Sequence, residues 1–374
     1  MNGSHILVNT LLELGVDTVF GYPGGSVLNI YDAMYDYQDK IKNIITSTEQ
    51  GAAHAADGYA RSTGKVGVAI ATSGPGATNL ITGIATAFMD SVPVVYITGN
   101  VAQNLIGKDS FQEVYTTGIT MPITKHNFVV REVDKIADTI REAFRIASSG
   151  RKGPVLIDFP KDVTIAEYDF EEKKSEVKKK EEFKDENLLD EIAKLINESK
   201  KPVIYSGGGV ISSNASEELR QVIDKSSIPA CNSIMGIGNL DYNKYFLGMA
   251  GMHGRVSTNY AIDNSDLIIA IGTRFSDRTV TNTEKFAPRA KIIHIDIDAS
   301  EIRKNVNIDY DVIGDVKDIL TKLLPKIKRQ DRDEWLAEIE NWKKSDYIEA
   351  KENVINIVFN EKTLYNLCDK EGLI

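Results

Sequence analysis

Glu49 occupies the position in this sequence that most invites chemistry: it follows the β-type run IITST and opens a small-residue helix, GAAHAADGYA. A carboxylate at a helix start is favoured simply by the positive end of the backbone dipole. Enclosed in a cleft, the same group can hold or share a proton with a ligand. Two neighbouring junctions have the same character, FGYPGG (20–25) and ATSGPGATN (71–79). Gly24, Gly25, Gly74 and Gly76 allow close backbone approach and positive φ, and helix-start amides can face an anion. The same glycines also suit plain tight turns, and the sequence leaves both readings open. Neither junction ends in GK[ST], and neither completes a GxGxxG fingerprint. Lys161, in GPVLIDFPKDV, follows an apolar run and is placed either to meet an acidic substrate or to sit in solvent. His54 and His126 have no companion at ligand spacing, so both are expected to be surface or core histidines, and no metal site is assigned.

A second set lies further along: SGGGV with Gly207, Gly208 and Gly209, GMAGMHG with Gly251 and His253, GTRFSDR with Gly272, Arg274 and Arg278, HIDIDAS with Asp296, and IGDV with Asp315. Glycine turns beside strands, arginines in reach of phosphates and an acid where ribose hydroxyls can be held together favour a nucleotide-sized ligand over turns that are all structural, and the sequence leaves both readings open. Met249, Met252 and Phe275 either wall that site or pack a core.

Such groups meet only if strands deliver them to one end of a sheet. From about residue 4 to 165, β-branched runs alternate with amphipathic ones, with strands expected near 17–21, 42–47, 66–71, 93–98 and 154–159. The runs VGVAIAT and VPVVYIT are too continuously apolar for a half-exposed sheet, so helices should cover both faces. A second α/β pattern follows, with strands near 201–207, 228–231, 266–272, 291–298 and 311–313. Between them, EYDFEEKKSEVKKKEEFKDE has few apolar residues and reads as a solvated linker. The expected organisation is therefore α/β: two successive three-layer domains with mainly parallel sheets. Their bounds are 1–165 and 187–325, joined by a charged linker (166–186) and followed by a helical or unassigned tail (326–374) expected to be the truncated start of a third domain.

The chain has 374 residues, 44 Lys and Arg against 54 Asp and Glu, and a net charge of -10. No global positive field exists to hold a polyphosphate backbone, which argues against nucleic-acid binding. Cys231 and Cys368 match no metal or redox spacing and suit a reducing, cytoplasmic setting. The N-terminus does not read as a secretion signal, and no run approaches the ~20 apolar residues of a membrane span.

The passages FGYPGG, EQGAAHAADGYAR, IATSGPGATNLITGIATAFMDSVPVVYITG, IGKDSFQE, GPVLIDFPKDV, GMHG, DLIIAIGTRFSDR and HIDIDAS occur in order over about residues 4–325. Together they resemble the large catalytic subunit of acetohydroxyacid synthase, or acetolactate synthase, a thiamine-diphosphate enzyme of branched-chain amino-acid biosynthesis. The resemblance implies a pyrimidine-binding domain followed by a central, Rossmann-like FAD-binding domain. It implies that Glu49 hydrogen-bonds the thiamine aminopyrimidine, and that Gly24, Gly25, Ser26, Gln112 and Lys161 border the channel to the reacting carbon. By the same resemblance, Gly207–Gly209, Gly251, His253, Gly272, Arg274, Arg278, Asp296 and Asp315 lie about the flavin. The implied reaction decarboxylates pyruvate and passes the two-carbon unit to pyruvate or 2-ketobutyrate. Implied partners are a second copy of the chain or a higher oligomer, and a small regulatory subunit.

The sequence departs from the family pattern in two places. Asn100 stands where the family commonly has glutamine. No GDG…N motif for Mg²⁺ and the diphosphate occurs, and GDV at 314–316 lacks the expected run to an asparagine. A separate diphosphate-binding chain is therefore expected to complete the enzyme, and the chain alone is expected to make no acetolactate. A non-catalytic FAD-binding or subunit-interaction module is the alternative.

Overall fold

The central strands of this chain are short and apolar, and Gly21, Gly207, Gly272 and Gly314 stand where four of the strands stop. A computed structural model describes residues 1–171, 182–240 and 243–346, and divides the chain into two compact units, Met1–Glu181 and Glu182–Ile374.

In the first unit six strands form one sheet: β1 (Thr18–Gly21), β2 (Lys42–Ile45), β3 (Gly67–Ala71), β4 (Val94–Asn100), β5 (His126–Val129) and β6 (Val155–Pro160). Their order is β2-β1-β3-β4-β6-β5 and every pairing is parallel. Val68, Ile70, Val95 and Ile97 pack into one core and Ala69, Ala71, Val94 and Tyr96 into another. This period-2 division shows why the strands read as continuously apolar: both faces are covered. The alanine stripe Ala52, Ala53, Ala56 and Ala60 of the helix Glu49–Thr63 belongs to the second core. Small side chains let that helix lie close against β3, and a Cβ on Gly67 would come within 2.2 Å of the Ala56 carbonyl oxygen.

The second unit repeats the architecture with β7 (Pro202–Ser206), β8 (Ala230–Asn232), β9 (Phe246–Met249), β10 (Leu267–Ile271), β11 (Lys291–Asp296) and β12 (Tyr310–Ile313). The order is β12-β11-β10-β7-β8-β9, again with parallel pairing throughout. Ile204, Ile269 and Ile293 face one core, Val203, Ile268 and Ile292 the other. The helix Asp333–Lys343 closes the latter core through Trp335 and Ile339, with the Trp335 indole N–H donating to the Pro202 carbonyl at 3.0 Å. Arg332 is buried beside it and donates to the Ser226 and Ile196 carbonyls.

The mainly parallel α/β class stands as expected. Two strands were not anticipated, β5 and β9. Both lie at sheet edges. β5 is no more than half-buried along its length and β9 is interrupted by Gly248, so neither carries the unbroken apolar run of a central strand. The expected linker falls partly on residues 172–181, which lie outside the described residues, as do Cys368 and residues 347–374. Among the described residues no helix is long and apolar enough to cross a membrane. Cys231 is fully buried, and burial pushes its thiol up to about 12, which leaves it unreactive.

Asp158, on β6, is the buried carboxylate of the first sheet. It accepts from the Thr98 hydroxyl at 2.6 Å and the Asn100 amide at 2.5 Å. Burial pushes its carboxyl up to about 6, against the pull of those two donors. The folded chain therefore binds this proton more tightly than the unfolded chain does. Its contribution to stability is largest below the unfolded value of ~4 and is lost as pH rises through about 6, by about 3 kcal/mol in all. Asp158→Asn should remove that fall, which urea titrations of both proteins at pH 4 and pH 7 would measure.

Two candidate sites on parallel sheet edges

All six strands of the first unit are parallel, so their C-terminal ends share one edge. The chain reverses its direction of travel across the sheet between β1 and β3, and a crevice opens at such a point. The turns after β1 and β3 meet there. The Ser26 amide donates to the Thr72 hydroxyl at 3.2 Å, the two hydroxyls are 2.8 Å apart, and the Ser73 amide donates to the Ser26 hydroxyl at 2.9 Å. Gly74 has φ +58, and a Cβ there would fall 2.5 Å from the Gln112 carbonyl oxygen. Only glycine lets the Gln112 backbone, itself at φ 56, rest on this turn.

Glu49 closes the site from the far side of β1. Thr48 caps its helix by accepting from the Gly51 amide, which sets the first turn with Glu49 nearly buried. One carboxylate oxygen accepts from the Asn79 amide at 2.9 Å. The other lies 3.2 Å from where a Gly76 Cβ would be. The phenol of Tyr31 is raised above its usual range by burial and by the charge of Glu49. Glu49 is thus a fixed, largely dehydrated carboxylate with one oxygen tied and the other facing a glycine. Such a group can orient and exchange a proton with a ring nitrogen.

Of the residues expected here, the edge brings together Gly24, Ser26, Glu49 and the backbone of Gln112. Gly24 touches Thr72, and Gly25 has open space beside it. Lys161 is exposed at the exit of β6, two strands beyond β3 in the sheet order and so roughly 10 Å along the edge. Asn79, Thr72 and Tyr31 were not singled out in the sequence. The GPGATN passage contained Asn79, but only the fold turns it toward Glu49. Asn100 is occupied inward, between Asp158 and the Val101 amide.

The second edge is built around β7 and β10. The chain runs outward through β8 and β9, then returns to β10 on the other side of β7, which is the strand order of dinucleotide-binding sheets. At that reversal point the Gly209 amide donates to the Gly272 carbonyl at 3.0 Å. A Cβ on Gly209 would fall 2.6 Å from the Gly272 Cα. The Gly251 turn seats on the same loop, with the Met252 amide donating to the Arg278 carbonyl at 2.8 Å. Gly207, Gly208, Gly209, Gly251, His253, Gly272, Arg274, Arg278, Asp296 and Asp315 all fall at this one edge. Within it their duties differ. Asp296 holds the Asp298 amide at 2.9 Å, and Asp315 caps the helix Val316–Leu323 while accepting from the Ser213 hydroxyl at 2.7 Å. Phe275 is buried in a core and Met252 is exposed. The glycines of this edge let backbone pack on backbone, since a Cβ on Gly207, Gly209, Gly251 or Gly272 would fall 2.2–2.6 Å from a neighbouring main-chain atom; what suits a dinucleotide here is the strand order, with two arginines on the adjoining loop. Among the described residues no three His, Cys, Asp or Glu side chains converge to hold a metal.

Residues 1–119 match the model of the "Thiamine pyrophosphate enzyme, N-terminal TPP binding domain", and residues 189–323 that of the "Thiamine pyrophosphate enzyme, central domain". The chain belongs to the thiamine pyrophosphate enzyme family. Within it, the chain is 48% identical over 354 residues to the probable acetolactate synthase large subunit of Methanocaldococcus jannaschii, covering 92% of this chain and 60% of that protein. It is 47% identical to the acetolactate synthase large subunit of Corynebacterium glutamicum, over 90% of this chain and 55% of that one. It is 43% identical to that of Haemophilus influenzae, over 93% and 63% respectively. The chain thus spans about three-fifths of the length of these relatives.

Proposed function

We propose that this chain supplies the pyrimidine side and the flavin-binding domain of an acetolactate synthase. The observation that carries the reading is Glu49, nearly buried at the reversal point of the first sheet with one oxygen held by Asn79. Thiamine diphosphate bound there supplies the carbanion-stabilising chemistry by which a 2-keto acid loses carbon dioxide and is joined to a second keto acid. Glu49 holds a proton against the aminopyrimidine. The Ser26–Thr72–Ser73 hydrogen bonds fix the two turns that border the reacting carbon, with Gln112 seated on one of them. Lys161 serves the acidic substrates from further along the edge. Pyruvate is the donor, and pyruvate or 2-ketobutyrate the acceptor.

The second unit takes FAD at the β7/β10 reversal, with Arg274 and Arg278 near its phosphates and Asp296 near a ribose. The described residues offer no cluster suited to the Mg²⁺ that a diphosphate requires. That shell comes from residues other than those described, and in the assembled enzyme this chain pairs with a second copy or a further diphosphate-binding chain and with a small regulatory subunit. The setting is cytoplasmic.

The test is purification from the host, with intact-mass analysis, flavin absorbance and an acetolactate assay on the same fractions. The expected result is stoichiometric FAD travelling with the chain, and acetolactate formed wherever the completing polypeptide is present. Complete fractions free of flavin and inactive on pyruvate would overturn the proposal.

A further inference from the structure

His294 is a fully buried imidazole in the middle of β11, opposite Ala270 of β10. Its Nε2 lies 2.8 Å from the carbonyl oxygen of Thr273. A carbonyl only accepts, so Nε2 carries the proton and donates it. The other ring nitrogen, Nδ1, is buried with no hydrogen-bond partner among the described residues. An orphaned buried acceptor is a cost that an aliphatic side chain would not incur. A histidine at this place is therefore explained by what Nε2 does beside the packing of its ring: it donates to the Thr273 carbonyl and lies 3.7 Å from a carboxylate oxygen of Asp296.

What it does is hold one of three successive carbonyls in the turn after β10. The Gly272 carbonyl accepts from the Gly209 amide at 3.0 Å, Thr273 from His294, and Arg274 from the Asn305 side chain at 2.9 Å. The next residue, Phe275, takes φ +49, which costs a non-glycine residue energy that its surroundings must supply. Its ring is buried against Tyr205, Phe286 and His294, with centroids 5.8, 5.7 and 5.2 Å away. His294 thus acts twice on one turn: it clips the Thr273 carbonyl, and it walls the pocket that keeps Phe275 in its left-handed conformation. The backbone between these two grips carries Arg274, and the loop continues to Arg278.

We propose that His294 is a positioning residue for the dinucleotide site. It touches no ligand, being sealed from solvent. It sets the Gly272–Phe275 turn in its binding shape before any ligand arrives, so that the cradle and Arg274 are preorganised. The inference rests on the flavin reading of this edge, but the order of the turn is measurable without flavin.

The experiment compares wild type, His294→Leu and His294→Gln in the full chain by amide hydrogen exchange and FAD titration. In His294→Leu the amides of Gly209, Thr279 and Val280, whose hydrogen bonds end on the Gly272 and Ser276 carbonyls of this loop, should exchange about tenfold faster while those of β10 and β11 keep their protection, and FAD should bind about tenfold more weakly. His294→Gln retains a donor that can reach the Thr273 carbonyl and should restore most of both effects, which a loss of packing alone would not predict. If the leucine variant fails to fold, Asn305→Ala, which removes the neighbouring exposed clip, should loosen the turn and weaken FAD in the same sense. A turn equally protected, with FAD equally well bound, in the variants overturns the proposal. A wild-type chain that takes no FAD but whose turn still loosens on loss of His294 would sink the flavin reading and leave the positioning role standing.

Discussion

Glu49→Gln should lower acetolactate formation by the assembled synthase about 10²- to 10⁴-fold while leaving its flavin content unchanged. The substitution keeps the length of the side chain and leaves an amide oxygen to accept from Asn79, so the 2.9 Å contact and the cap on the helix Glu49–Thr63 survive. What it removes is the capacity to hold a proton against a ring nitrogen. The site gives that loss its size: Glu49 is nearly buried, and water has little access to substitute for it. The fall should appear in kcat, since Ser26, Thr72 and Gln112, placed on the substrate side in the proposed reading, are untouched. Steady-state kinetics beside flavin absorbance would check it, and a variant keeping more than a tenth of the activity would count against this role.

Glu49 also marks what the sequence could and could not reveal. Its place at a strand exit and helix start was legible because β2 and the alanine helix each carry a strong local pattern. Its tie to Asn79 was not, because those residues are thirty positions apart and meet only when β1 and β3 lie side by side. The same holds for His294. In HIDIDAS it reads as one alternate residue of a strand, and its role emerges only once β10 and β11 pair in register and carry the ring to Thr273. The central strands were readable since burial on both faces leaves an unbroken apolar run. β5 and β9 were not, since an edge strand is released from that requirement. Asp315, read in IGDV as a candidate cofactor contact, also has a duty the motif did not announce: it caps a helix, with its carboxylate engaged with the Lys317 and Asp318 amides.

Gly209→Ala should abolish flavin retention, whereas Gly208→Ala, one residue earlier, should leave most of it. The difference lies in what each new methyl group would meet. At Gly209 it falls 2.6 Å from the Gly272 Cα and 3.1 Å from the Gly272 carbonyl oxygen, both backbone, and neither can move without breaking the β7/β10 reversal point. The same shift stretches the bond from the Gly209 amide to the Gly272 carbonyl and drags on the turn that His294 holds. At Gly208 the methyl group meets the Met235 Cβ at 3.1 Å, on a side chain that can yield by a few tenths of an ångström. Overpacking against fixed backbone costs about 1–3 kcal/mol, enough to lower the melting temperature of the second unit by several degrees. The binding loss should exceed that stability loss if the dinucleotide binds at the β7/β10 reversal as proposed, because the two glycines that separate lie at that point. Gel filtration with flavin absorbance, alongside thermal melts of both variants, separates the two effects. Equal flavin retention in Gly209→Ala and Gly208→Ala would show that the dinucleotide does not use this cradle.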